Sequence, residues 1–252
     1  MIEVKQVTKV YDQFPVLNEI DVCLPEEKII AFIGSNGTGK STLLSIIGRT
    51  LEKNGGHVYI DDIELALWKS QELAKHLSIL QQAQQSIVRL TVEELVGFGR
   101  FPHSQGRLSQ EDQQHINRAI AYLELDHLRT RYLDELSGGQ RQLAYIAMVL
   151  AQDSHYIFLD EPLNNLDMKH ATQIMKVLRK LVDELHKTVL VVIHDINFVS
   201  YYSDHIIALK EGKIVAQGST DEIIRPDVLK EIYDIEMTIK EIDGKRFCLY
   251  FE

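Results

Sequence analysis

Several groups of residues are typed and spaced for chemistry. Gly34, four intervening residues and Gly39-Lys40-Ser41 form a G-x-x-x-x-G-K-[ST] phosphate-binding loop. Its glycines let the backbone wrap a polyphosphate with successive N–H groups turned inward. The helix expected next offers unpaired N–H groups that favour an anion. Lys40 can reach the β/γ-phosphates, and the Ser41 hydroxyl can ligate Mg²⁺. Asp160-Glu161 closes an apolar run that starts at Tyr156. Beside a phosphate loop such an Asp can hold Mg²⁺, directly or through water; the other reading is a solvated pair of acids at a strand end. Neighbouring strand residues face opposite ways, which leaves Glu161 to polarise an attacking water as general base. Leu136-Ser137-Gly138-Gly139-Gln140 has the spacing of a capping box, Ser137 at the N-cap and Gln140 three residues on. The box explains two of these residues; the paired glycines also admit close approach of an anionic group. His194 ends the apolar run Thr188–Ile193 and could bridge Glu161, a water and a γ-phosphate, although a lone histidine there can equally be structural. Tyr11 could stack on a purine or be a half-buried strand-end tyrosine. Gln82 could reach a metal or a water, or belong to a solvated Gln-rich loop with Gln81, Gln84 and Gln85.

The elements that must hold these groups follow from periodicity. Ile29–Ile33 is a buried-strand run, and Leu43, Leu44, Ile46, Ile47 and Leu51 repeat at helical spacing. Ile2, Val4 and Val7 suggest an early strand, and Val16–Leu24 an antiparallel one. His57–Ile60 and Leu77–Leu80 read as further strands, with Asp61-Asp62 as a turn. From about Ser86 to Ala151 the pattern turns helical. Thr91–Glu94 and Ser109–Asp112 start two helices, Phe101–Gly106 is expected as a loop, and a third helix follows Gln140. Ala171–Leu185 is an amphipathic helix and Thr188–Ile193 a strand buried on both sides. Ile206–Leu209 and Ile214–Ala216 flank a Glu211-Gly212 turn, Glu222–Ile232 is expected as one helix, and Asp243-Gly244 marks a last hairpin.

The chain has 252 residues, 45% hydrophobic and 25% charged, as in ordinary globular proteins. A formal net charge of −10 argues against nucleic acid as a partner, since phosphate backbones want clustered Lys and Arg. Cys23 and Cys248 are expected as reduced core thiols of a cytosolic protein, without metal-ligand spacing. The start Met1-Ile2-Glu3-Val4-Lys5 has neither a basic nor a long apolar region, so no secretion signal is expected. No apolar run is long enough to span a bilayer. If the protein works at a membrane, another chain supplies the span.

In order and type these motifs resemble the nucleotide-binding subunit of ATP-binding-cassette (ABC) transporters over essentially the whole chain. The carriers are Tyr11, the loop Gly34–Ser41, Gln82, the signature Leu136–Gln140, Asp160-Glu161, Leu166-Asp167 and His194. The resemblance implies an α/β fold: a RecA-like P-loop NTPase core with an antiparallel β subdomain and an inserted α-helical subdomain. Residues 1–85 and 152–252 would form the core and β subdomain, and 86–151 the helical one, within a single domain of 1–252. It implies ATP hydrolysis with Mg²⁺. Tyr11, Gly34, Ser35, Asn36, Gly37, Thr38, Gly39, Lys40, Ser41 and Thr42 would bind ATP. Ser41, Gln82 and Asp160 would serve the metal, and Glu161, His194, Gln82 and Lys40 the reaction. It further implies a head-to-tail homodimer, in which Ser137, Gly138, Gly139 and Gln140 act in trans on the partner's nucleotide and Asp167 lies on the dimer loop. The closed dimer would drive a separate membrane permease from the cytoplasmic face of the cell membrane, as a peripheral subunit. An extracytoplasmic binding protein would deliver cargo to that permease.

Within the family, a single cassette and Gly99-Arg100-Phe101-Pro102-His103 resemble importers of the iron–siderophore, haem or cobalamin type. Glu161-Pro162-Leu163-Asn164-Asn165-Leu166-Asp167 is especially similar to ferric-siderophore import ATPases. An efflux or lipid-transport ATPase uses the same motifs, and a soluble ABC ATPase of DNA repair or translation is a third reading.

Overall fold

The computed structural model describes residues 1–81 and 89–250. β1 (Ile2–Tyr11) and β2 (Phe14–Leu24) pair antiparallel. Val4 and Val7 are both buried, although odd spacing in a regular strand would put them on opposite faces. A bulge reconciles them: Gln6 takes φ 50° and the pairing register shifts between Val4 and Val7. β3 (Ile29–Ile33) is buried throughout and leads through the phosphate loop into α1 (Lys40–Ile47). β4 (Gly55–Ile60) turns at Asp61-Asp62, φ 50° and 63°, into β5 (Ile63–Glu64), as a tight hairpin demands. α2 (Ser70–His76) then feeds β6 (Leu77–Leu80).

Helices dominate the next stretch: α3 (Val92–Phe98), α4 (Phe101–Ser104), α5 (Gln110–Tyr122) and α6 (Gly138–Ala151). Strands and helices alternate again in β7 (Tyr156–Asp160), α7 (Met168–Leu185), β8 (Thr188–Val192), α8 (Ile196–Tyr202), β9 (His205–Lys210) and β10 (Lys213–Ser219). The chain ends with α9 (Thr220–Ile223), α10 (Pro226–Tyr233) and the hairpin β11 (Thr238–Ile242) and β12 (Lys245–Leu249).

One sheet is antiparallel, in the order β2-β1-β4-β5, and a larger one runs β10-β9-β3-β8-β7-β6. Within the larger sheet β9, β3, β8, β7 and β6 are parallel and β10 closes the edge antiparallel. β3 feeds two cores by alternation. Ile30 and Phe32 pack with α1 and the small sheet, whereas Ile29, Ala31 and Ile33 pack on the side of α6 and α7. This is the α/β P-loop NTPase architecture, with its antiparallel β sheet and its helical segment between β6 and β7.

Some elements depart from the expectation. Phe101–Ser104 is a helical turn rather than loop, because Pro102 sits in the first turn, where its missing N–H leaves no bond unmade. The expected helix Glu222–Ile232 is split into α9 and α10. Arg225 precedes Pro226 and is pushed to an extended φ −137°, ψ 145°. Leu51 lies beyond α1, which stops at Gly48 before Arg49 turns to φ 55°. Cys248 is buried as expected, but Cys23 is exposed.

Helices start at Thr91 and Ser109 as expected, and each start is a capping box, Thr91/Glu94 and Ser109/Asp112. The second is part of a buried ion pair. Arg100, 4% exposed, donates from Nε to Asp112 Oδ1 at 2.8 Å and from Nη1 to the Ala151 carbonyl at 2.9 Å. One side chain thus ties the α3–α4 junction to the start of α5 and the end of α6. Removing one partner of such a pair strands the other charge, so Arg100→Ala is expected to lower stability by about 3–5 kcal/mol in denaturant unfolding. Burial alone would raise the Asp112 carboxyl, but the Ser109 N–H and the Arg100 guanidinium hold it down at about 2, against an ordinary 3.8. Because the folded value is the lower one, this contribution is complete above 3.8 and is lost as pH falls through about 2. Asp112→Asn is expected to remove that component from an acid-unfolding curve followed by circular dichroism.

Candidate nucleotide site

The hydrogen-bonded order β3-β8-β7 puts three strand ends side by side. Gly34 follows β3, His194 follows β8, and Asp160-Glu161 closes β7. Gly34 adopts φ 132°, and a Cβ there would lie 2.1 Å from the Leu209 carbonyl oxygen of β9. Only glycine lets the loop lie this close to the sheet. Gly39 occupies the N-cap of α1 at φ 99° without a side-chain cap, so the first N–H groups of the helix remain available to an anion. Lys40 is 4% exposed, and its Nζ donates to the carbonyls of Gly34 and Ser35, both at 2.8 Å. Burial pulls its pKa down, against the opposing charges of Glu161 and Asp160. Thr38 Oγ1 braces the loop by donating to the Ser35 carbonyl at 2.9 Å.

The Ser41 hydroxyl donates to Asp160 Oδ1 at 2.7 Å. Burial raises the Asp160 pKa; the Ser41 hydrogen bond opposes this and the Glu161 carboxylate adds to it. A hydroxyl and a carboxylate are hard oxygen donors that fit Mg²⁺, which takes few protein ligands and completes its shell with phosphate and water. Among the described residues no group of three or more His, Cys, Asp or Glu could hold a metal ion. As a hydroxyl and a carboxylate, the Ser41–Asp160 pair suits a cation that arrives with a polyphosphate.

Glu161 leaves the strand at φ 51°, a left-handed conformation uncommon for a non-glycine residue. Its carboxylate meets His194, whose Nε2 lies 2.7 Å from Glu161 Oε1. Asn164 Nδ2 donates to the other oxygen, Oε2. A cleft of ≈ 700 Å³ opens over these groups. Tyr11, Asn36, Gly37, Gly39, Lys40, Ser41, Thr42, Glu161 and His194 line it, all singled out from the sequence. Val16 and Asn164 also line it and were not. Asn164 lay inside the run Glu161–Asp167 quoted above, and its local signal was its place three residues after Glu161, within reach across a turn. Tyr11, 43% exposed at the end of β1, has Lys9 Nζ 4.9 Å from its ring centroid.

Ser137, Gly138, Gly139, Gln140 and Asp167 do not line this cleft. Ser137 caps α6, accepting the Gln140 N–H at 3.3 Å, while Gln140 Oε1 accepts the Ser137 N–H at 3.1 Å. Asp167 caps α7, accepting the His170 N–H at 2.9 Å. Gln82 lies outside the described residues.

A family model described as ABC transporter matches residues 17–164. Petrobactin import ATP-binding protein YclP of Bacillus subtilis (strain 168) is 56% identical over 251 residues, covering 100% of each chain. Petrobactin import ATP-binding protein FatE of Bacillus anthracis is 46% identical over 239 residues, 95% of this chain and 96% of that one. The dimeric post-hydrolysis structure of the ATP-binding cassette MJ0796 bound to ADP and Pi aligns with a TM-score of 0.77 and 32% identity, over 87% of this chain and 99% of that one. The phosphate loop and the carboxylates that face it both fall inside the family match, and the relatives extend it over the full length: the chain belongs to the ABC transporter family of ATP-binding cassettes.

Proposed function

We propose that this chain is the ATP-hydrolysing subunit of an importer for an iron–siderophore chelate of the petrobactin type. The observation that carries the cargo is the 56% identity to YclP across the full length of both chains. The homodimer works on a separate permease at the cytoplasmic face of the cell membrane, and an extracytoplasmic binding protein hands the chelate to that permease. Among the described residues no helix is long and apolar enough to cross a membrane, which suits a peripheral subunit. Phe98 and Phe101, 55% and 60% exposed beside the α3–α4 junction, offer an apolar surface for a membrane partner.

In the site, the loop amides of Gly34–Thr42, the start of α1 and Lys40 grip the triphosphate. Mg²⁺, held through Ser41 and Asp160, would neutralise charge on the phosphate oxygens. Glu161 accepts the proton of the attacking water, and the His194 and Asn164 contacts fix its two oxygens for that task. Gln82 completes the set from the segment after β6. Ser137–Gln140 and Asp167 serve the partner's nucleotide; that they do not line their own cleft and the dimeric state of MJ0796 support this.

Cargo is tested by uptake. In a strain lacking its own petrobactin-import ATPase, this chain expressed with its permease is expected to restore entry of radioiron-labelled petrobactin. Active ATPase without uptake would overturn the cargo. Tyr11→Ala is expected to weaken MgATP binding by about 5- to 150-fold in calorimetry, the equivalent of about 1–3 kcal/mol of base stacking, with Tyr11→Phe close to wild type.

A further inference from the structure

The two signature glycines stand in unlike surroundings. Gly138 is exposed, and a Cβ on it would meet nothing within 4 Å. Gly139 is buried, and a Cβ on it would lie 2.3 Å from both Cγ and Cδ2 of His170 and 2.8 Å from its Cβ. Cβ and Cγ are the root of that side chain, so no ring rotation clears the overlap. His170 is held from the other side too: its N–H and its Nδ1 engage Asp167 Oδ1 at 2.9 Å and 2.8 Å. An unbroken line of contact runs from the Asp167 carboxylate through the imidazole to the backbone of the signature helix.

We propose that His170 is a positioning residue that couples the Asp167 loop to the signature segment. Gly139 is glycine to seat its ring, and Gly138 is glycine to let the partner's nucleotide approach. A shift of Asp167 at the dimer contact then moves the first turn of α6 as one piece with it. The inference rests on the in-trans reading of Ser137–Gln140.

The test compares steady-state kcat and KM for MgATP in Gly138→Ala, Gly139→Ala, His170→Gly, His170→Ala, His170→Asn, Gly139→Ala/His170→Gly and Gly138→Ala/His170→Gly. Gly139→Ala is expected to lower kcat about tenfold or more, and adding His170→Gly, which removes the Cβ as well as the ring, to return it to within about threefold of His170→Gly alone. Gly138→Ala gains nothing from the same addition. His170→Ala lowers kcat several-fold at unchanged KM, whereas His170→Asn, which keeps a hydrogen bond to Asp167, holds close to wild type. A double variant as inactive as Gly139→Ala, or a His170→Ala kcat equal to wild type, overturns the coupling. MgATP-driven dimerisation of Glu161→Gln, with Gly139 and His170 native, separates the two levels. No dimer there overturns the in-trans reading together with this proposal; a dimer without kinetic rescue overturns the coupling alone.

Discussion

Glu161→Gln is expected to cut ATP hydrolysis by about 10²- to 10⁴-fold while MgATP still binds. The carboxamide keeps the shape of the side chain and a polar group facing Asn164 and His194, but it cannot take a proton from water. Lys40, Ser41 and the loop amides are untouched, so the nucleotide is held and not consumed. If two copies close around the trapped triphosphate, the variant should also shift from monomer to dimer with MgATP in size-exclusion chromatography. Phosphate release at the wild-type rate would remove Glu161 from its role. A strictly monomeric variant at saturating MgATP would remove the dimer.

Lys40→Ala is expected to weaken MgATP binding by about 10- to 150-fold, the equivalent of about 1.5–3 kcal/mol for charge-assisted hydrogen bonds to the phosphates. The electrostatics say why this lysine is present. Burial holds its pKa below the ordinary value, so the folded protein disfavours the charged form relative to the unfolded chain. The unfolded chain therefore binds protons more readily, and this ammonium detracts from stability at pH values below its folded pKa. A group that costs the fold and lies against the loop carbonyls suits the proposed contact with the phosphates. The rise in Tm that MgATP gives the wild type should accordingly vanish in Lys40→Ala. An unchanged dissociation constant would count against the loop assignment.

Much of the chain was legible from local chemistry. The run Ile29–Ile33 with its glycine loop, the run Tyr156–Leu159 before Asp160, the helix starts at Thr91, Ser109 and Ser137, and the Asp243-Gly244 hairpin each depend on residues within a few positions of one another. The split of α9 from α10 was legible too, since Pro226 is in plain sight; the apolar spacing around it masked the break.

What local pattern could not supply was proximity. β8 enters the sheet between β3 and β7, although β7 precedes it in the chain. That non-sequential order is what brings His194 to Glu161, and α1, packed across β8 and β7, brings Ser41 to Asp160. The left-handed turn at Glu161, the bulge at Gln6 and the ring of His170 against Gly139 likewise have no signature of their own in the sequence. Residue type and spacing determined which groups this protein carries and which strand or helix ends with each. Tertiary packing alone decided which of those ends meet, because strand order and side-chain seating are settled by burial between segments far apart in the chain.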